Sequence, residues 1–283
     1  MIKSNLENPR IVTRTEWLAA RKELLAREKE LTRARDAVSA ERRGLPWVRV
    51  EKEYVFDTPE GKKTLADLFD GRSQLIVYHF MWRRDMDDRC VGCSFLADHI
   101  DGANQHLAQH DVSLVVCSRA SVSELKAYKK RMGWRFNWVS SYANDFNYDY
   151  HVSFRPGDLA TGEVFYNYTM TPASIEDLSG ISVFYKGQNG EVFHTYSSYA
   201  RGNEEVLGAY MYLDLTPKGR NENGPNHNLS DWVRHHDRYD QGGYVDATGA
   251  FVSEEQSRVV MRSRQNSGRV WRPEVRWDGQ KQT

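Results

Sequence analysis

The sequence predicts an α/β fold, a central mixed sheet with helices on its faces. Two apolar runs, SQLIVYHFMW and DVSLVVCS, have the length and β-branched content of buried strands. A helical pattern, CSFLADHIDGANQHLAQ, lies between them and a second, SVSELKAYKKRMG, follows, so strand alternates with helix and the crossovers are long enough for parallel pairing. Further on, ISVFYKGQNGEVFHTYSSY reads as a β-hairpin.

The elements follow in order. TRTEWLAARKELLAREKELTRARDAVSAERRG reads as one long helix, opened by a Thr13/Glu16 capping box and stopped by Gly44 and Pro46. Trp17, Leu24, Leu31 and Val38 recur every seven residues, a seam that suits either the chain's own body or a second copy. A short strand is expected around Tyr54 to Phe56, a turn at Thr58 to Gly61, and a brief helix marked by Leu65, Leu68 and Phe69. The buried strands are expected at Leu75 to Trp82 and at 111–118, and the helix after the second has a Ser121/Glu124 capping box and stops at Gly133. FNYDYHVSF alternates aromatic and polar residues and reads as a half-buried strand. The hairpin strands are Ile181 to Tyr185 and Glu191 to Tyr196, followed by a helix from Asn203 to Tyr212. From Pro217 the chain is polar, and from Glu254 it is basic with little periodicity, which reads as a loosely held extension or partner-wrapping arm.

Composition narrows the function. In 283 residues, 40% hydrophobic, 39 basic side chains balance 39 acidic ones, which argues against bulk attraction to nucleic acid or an anionic membrane. Neither a signal peptide nor a membrane span is evident, so a cytoplasmic location is expected, where thiols stay reduced. There a Cys-x-x-Cys pair points to redox chemistry or metal binding.

Cys90 and Cys93 are such a pair, placed after a buried strand and at the head of a helix. That edge of an α/β sheet gathers reactive groups, and a helix's first turn stabilises a thiolate. Cys90 is therefore the expected nucleophile and Cys93 the resolving thiol. Arg83, Arg84 and Arg89 favour the thiolate, while Asp85, Asp87 and Asp88 oppose it. A structural zinc site would need four ligands, and no second Cys-x-x-Cys or His-x-x-x-His pair is present. Cys117, at the end of the next strand, reads as core or as a third thiol of the site.

TLADLFDGRSQLIVYHFMW, CVGCSFLADHIDG, GWRFNWVSSYANDFNYDYHVSF and VFHTYSSYARG together resemble a bacterial thioredoxin-like family catalogued as domain of unknown function family 899. The resemblance runs from about Leu6 to near Tyr239. It implies a thioredoxin-like fold with a long N-terminal helix and a C-terminal extension, and puts Cys90 and Cys93 at the thioredoxin active-site position. The expected parts are a helical arm over 1–46, a thioredoxin-like domain over 47–216 and the extension over 217–283, partly irregular. Two departures stand out. DLSGISVF lacks the proline that precedes the hairpin strand in thioredoxins, and Val91-Gly92 replaces their Gly-Pro.

The function these residues suggest is thiol/disulfide exchange with a protein or small-molecule disulfide, with no cofactor required. No nicotinamide or flavin fingerprint is present. One alternative is a copper protein in which Cys90, Cys93 and His194 hold the metal, since thiolates and an imidazole suit Cu(I). This has a geometric analogy in the thioredoxin-fold copper-delivery proteins, whose cysteines are spaced one residue wider. Another is a non-enzymatic dimeric scaffold bound through the heptad seam. His235 and His236 with Asp237 read as a surface or capping cluster, or as one histidine that with Asp237 or His227 binds metal or shuttles protons; His79 reads as an internally bonded strand residue, and Arg201 and Arg220 as anion-binding or salt-bridging side chains.

Overall fold

The structure, a computed structural model, describes residues 9–82, 88–173, 175–240, 242–245 and 251–253. The charged residues 83–87 ahead of the cysteines and the basic tail from Glu254 lie outside them.

The first helix, α1, runs Arg14–Arg43 and opens with the Thr13/Glu16 capping box. None of its residues is buried, and Trp17, Leu24, Leu31 and Val38 are 46%, 50%, 58% and 52% exposed. Its last turn touches the body through Arg42, which stacks over Tyr196 and lies 3.6 Å from Glu205.

Among the described residues, eight strands make the main sheet. They are β1 (Val48–Arg49), β2 (Val55–Thr58), β3 (Gly61–Thr64), β4 (Gln74–His79), β5 (Val112–Ser118), β6 (Asn137–Ser140) and, after the separate hairpin β7 (Glu163–Tyr166) and β8 (Thr169–Pro172), β9 (Gly180–Lys186) and β10 (Val192–Tyr199). Their order is β1-β10-β9-β4-β5-β6-β2-β3. β4, β5 and β6 are parallel, while β9 runs antiparallel to β4, and β10 to β9. The centre, β10-β9-β4-β5, is the thioredoxin-like arrangement that the family resemblance implied.

Between β4 and β5 the helical pattern divides into α2 (Val91–Ala97) and α3 (Ile100–Leu107), and α4 (Val122–Arg131) follows β5 with the Ser121/Glu124 box. Alternation along the strands gives each face its own core. Tyr78, Phe80 and Val116 pack under α2, α4 and α7 (Gly208–Leu213), with Trp134 and Trp138 beside them. Leu75, Val77, Val115, Cys117 and Phe184 pack on the other face with Phe69, Phe146 and Tyr150.

FNYDYHVSF is not a strand. Phe146–Asp149 forms a short helix, α5, and His151 turns the chain with φ of 55°. Its alternating aromatics are spent on two surfaces: Phe146 and Tyr150 enter the core, while Tyr148 is covered by Arg119 and Arg155. The helix expected at Asn203 to Tyr212 is broken as well. A 3₁₀ stretch covers Ala200–Val206, and α7 begins only at Gly208.

No cis peptide bond occurs among the described residues, and Gly180 opens β9 beside His79. A Cβ at Gly180 would lie 2.9 Å from atoms of both Tyr199 and Val152, which are buried. Gly180→Ala is therefore expected to destabilise the fold by about 1–3 kcal/mol, read from denaturant midpoints. An unchanged midpoint would mean that the two neighbours relax freely.

Candidate functional site

β4 ends beside Met81 and Trp82 at the carboxyl edge of the parallel strands, and the chain re-enters α2 at Cys90. Cys90 is the N-cap of that helix, and its Sγ accepts the Cys93 N–H at 3.3 Å. Serine and asparagine oxygens usually fill this role, so a thiol here holds an electron-rich sulfur against an otherwise orphan N–H. The Cys90 carbonyl accepts from both the backbone N–H of Ser94 and its hydroxyl, and that hydroxyl also bonds Tyr128. The cap is thus tied into the core below it.

The two thiols differ in environment. Cys90 is 8% exposed and Cys93 3%. Burial pushes the Cys93 thiol well above its ordinary range, and interaction with Cys90 adds to the rise; Tyr78 and the Met81 backbone oppose it. Burial thus disfavours the Cys93 thiolate, while Cys90 is the slightly more exposed of the two and accepts an N–H. Neither is in a disulfide among the described residues.

The end of β4 is anchored by Asp177, whose carboxylate accepts the Trp82 N–H at 3.2 Å and the Ser153 hydroxyl at 2.7 Å. Burial raises its pKa. The Arg89 guanidinium lies 4.0 Å over the Trp82 ring, next to Cys90.

A strap from the C-terminal extension crosses the motif. Leu229 sits so close to Gly92 that a Cβ there would meet its methyl groups at 3.3 and 3.4 Å. A side chain at position 92 would press on Leu229. Trp232 packs on Phe95, and Val233 is fully buried. His235, read from sequence as a surface residue, is also fully buried, with Nε2 bonded to the Arg89 carbonyl at 2.8 Å. Burial lowers its pKa. Asp88 gathers Arg131 at 2.9 Å and Arg238 and His235 at 3.4 Å, Arg131 also grips Asp237, and His236 bonds Asp98 at 2.6 Å. Ion pairs thus hold the strap at its end, and Leu229 lies against Gly92 between the cysteines.

Leu229→Ala is expected to raise the rate of Cys90 alkylation about tenfold, because about 1.4 kcal/mol less packing favours local opening by that factor. A rate equal to that of the wild type, measured by peptide mapping, would mean that the strap does not limit access.

The other candidates lie elsewhere. Cys117 is fully buried on the opposite face, its thiol 3.5 Å from the Asn147 side-chain oxygen, and burial pushes it up to about 12. The structure does not bring it to the pair. Nor does it bring His194, which packs against Tyr150 and Phe184 on that same far face. Its Nε2 is within 2.8 Å of the Ser197 hydroxyl, which continues through Ser182 to His79. This buried polar line bonds His79 internally, as its strand position suggested. Arg201 pairs with Glu204, and Arg220 with Glu204 and Asp214. No helix among the described residues is long and apolar enough to cross a membrane.

Met81, Asp88 and Leu229 were missed in the sequence as site-shaping residues. Asp88 appeared there only as an opposing charge, and a thioether or a lone leucine carries no spacing signal.

The sequence pattern of a family described as bacterial protein of unknown function (DUF899) matches residues 6–239. No curated protein matches. Among solved structures, peroxidoxin BcpB from Mycobacterium tuberculosis aligns at 12% identity over 58% of this chain and 94% of its own, with a TM-score of 0.39. Peroxiredoxin Q from Xanthomonas campestris aligns at 15% identity over 55% and 87%, with a TM-score of 0.37. A putative thiol:disulfide interchange protein DsbE from Chlorobium tepidum aligns at 11% over 61% and 99%, with a TM-score of 0.35.

Proposed function

The chain belongs to the bacterial family of unknown function DUF899, and from the geometry of its cysteine pair we propose that it is a thiol/disulfide oxidoreductase. The observation that carries this reading is the asymmetry of the pair: Cys90 Sγ accepts the Cys93 N–H at the helix cap, while deeper burial raises the Cys93 thiol behind it.

The chemistry is a pair of exchanges. The Cys90 thiolate attacks one sulfur of a substrate disulfide, the S–S bond breaks, and the second substrate sulfur leaves as a thiolate that takes a proton. Cys93 then loses its proton and attacks Cys90 in the mixed disulfide. This releases the first substrate thiol and leaves a Cys90–Cys93 disulfide. The substrate gains two electrons and the pair loses two; an external dithiol returns them.

Two features support the order. Tyr78 donates to the Cys93 carbonyl at 3.4 Å and, with the Met81 backbone, opposes the rise in the Cys93 thiol, so deprotonation in the second step has help in place. The strap over Gly92 must open for a disulfide to reach Cys90, which favours substrates that displace Leu229.

Trapping tests the proposal. Cys93→Ser exposed to oxidised glutathione should hold one glutathione at Cys90, stable to gel filtration and released by reductant. No adduct, or an adduct at Cys117, would overturn it.

A further inference from the structure

Disulfide exchange makes no use of the Met81 side chain, yet the thioether is aimed at the pair. Met81 Sδ lies 4.0 Å from Cys90 Sγ. The Met81 backbone also acts on the Cys93 thiol, and Cys93 N–H reaches Cys90 Sγ. The Met81 thioether therefore meets Cys90, and the Cys90 sulfur in turn holds the backbone of Cys93. Trp82, Val91, Phe95 and Leu96 are buried in the same cluster, with Met81 packed against it.

We infer that the reduced protein binds one Cu(I) through Cys90 Sγ, Cys93 Sγ and Met81 Sδ. Thiolate and thioether are soft ligands that select this ion over harder divalent cations. Metal–thiolate bonds are about 2.3 Å long, and three of them in a plane would space their sulfurs about 4.0 Å apart. The Cys90–Met81 pair already has that spacing. Binding changes no oxidation state. Two thiol protons leave, and two thiolates with one monovalent cation give the site a net charge of −1. His194, held by Ser197 on the opposite face, is not a ligand. Bound copper and the Cys90–Cys93 disulfide exclude each other, because both use the same sulfur electron pairs.

The test is anaerobic titration of the reduced full-length protein with Cu(I) alone against bicinchoninate, with copper-edge X-ray absorption on the loaded protein. One Cu(I) per chain and a shell of three sulfurs are expected. Met81→Leu, which keeps the side-chain volume, should weaken affinity about 10- to 100-fold and leave a two-sulfur shell. His194→Ala should bind as the wild type does, and melting curves establish that both variants are folded. Sub-stoichiometric binding, a nitrogen or oxygen neighbour in the shell, or wild-type affinity in Met81→Leu would each overturn the inference. The glutathione adduct is read separately. Copper binding without an adduct would sink exchange alone, and an adduct without copper binding would sink the metal site alone.

Discussion

Cys90→Ser is expected to lower reduction of a small disulfide such as oxidised glutathione by about 10³-fold or more, since it removes the sulfur that the proposed exchange uses as nucleophile. Serine in the same place can still cap α2, so the fold should survive and the loss should fall on turnover. Cys93→Ser should behave differently. The first exchange still occurs, but the adduct has no resolving thiol, so a single turnover replaces a cycle. Cys117→Ser should leave the rate unchanged, because that thiol is fully buried on the other face of the sheet. Stopped assays on the three variants separate these outcomes. Equal losses in all three would point to damage to the fold rather than to the chemistry.

Acid should destabilise the protein, and His79 should dominate the loss. Its ring is fully buried, stacks on Phe146 and bonds Ser182 through Nε2, and a side-chain hydrogen bond with Asn147 only partly offsets the cost of charging it there. Burial pushes its pKa down to about 3 from 6.5. The folded state therefore prefers the neutral ring. Between those two values the unfolded chain binds the extra proton, so stability is full above pH 6.5 and is lost as pH falls toward 3. The slope is about 1.4 kcal/mol per pH unit, on the order of 4 kcal/mol across the window. His194 and His235, also lowered by burial, add in the same direction. Asp177, raised by burial, acts oppositely, because its folded form gains a proton first. Guanidinium unfolding at pH 7, 5.5 and 4 reads the slope, and His79→Gln should flatten it. A slope unchanged by that substitution would assign the acid loss to other groups.

Much of this site is legible in the sequence because its signals are local. A buried strand, a Cys-x-x-Cys pair and a helical pattern adjoin one another in the chain, and the structure places Cys90 at the cap of α2. The capping boxes at Thr13 and Ser121 and the β9–β10 hairpin are equally local. What escaped depends on distant partners. His235 looks like a surface residue until the strap carries it to the Arg89 carbonyl, 146 positions away in the chain. Phe146 and Tyr150 alternate like strand residues, yet they belong to a short helix and the turn after it, which tuck both rings into the core. The far-face placement of His194 follows from the sheet's strand order and from β10's register against β9, which no spacing in the sequence encodes.

Equilibration of the reduced full-length protein against glutathione buffers, with disulfides mapped by mass at each potential, tests the central claim most directly. The predicted result is one two-electron transition that joins Cys90 to Cys93 and leaves Cys117 a thiol throughout. Absence of a Cys90–Cys93 disulfide at every potential, or a bond through Cys117 instead, would contradict it.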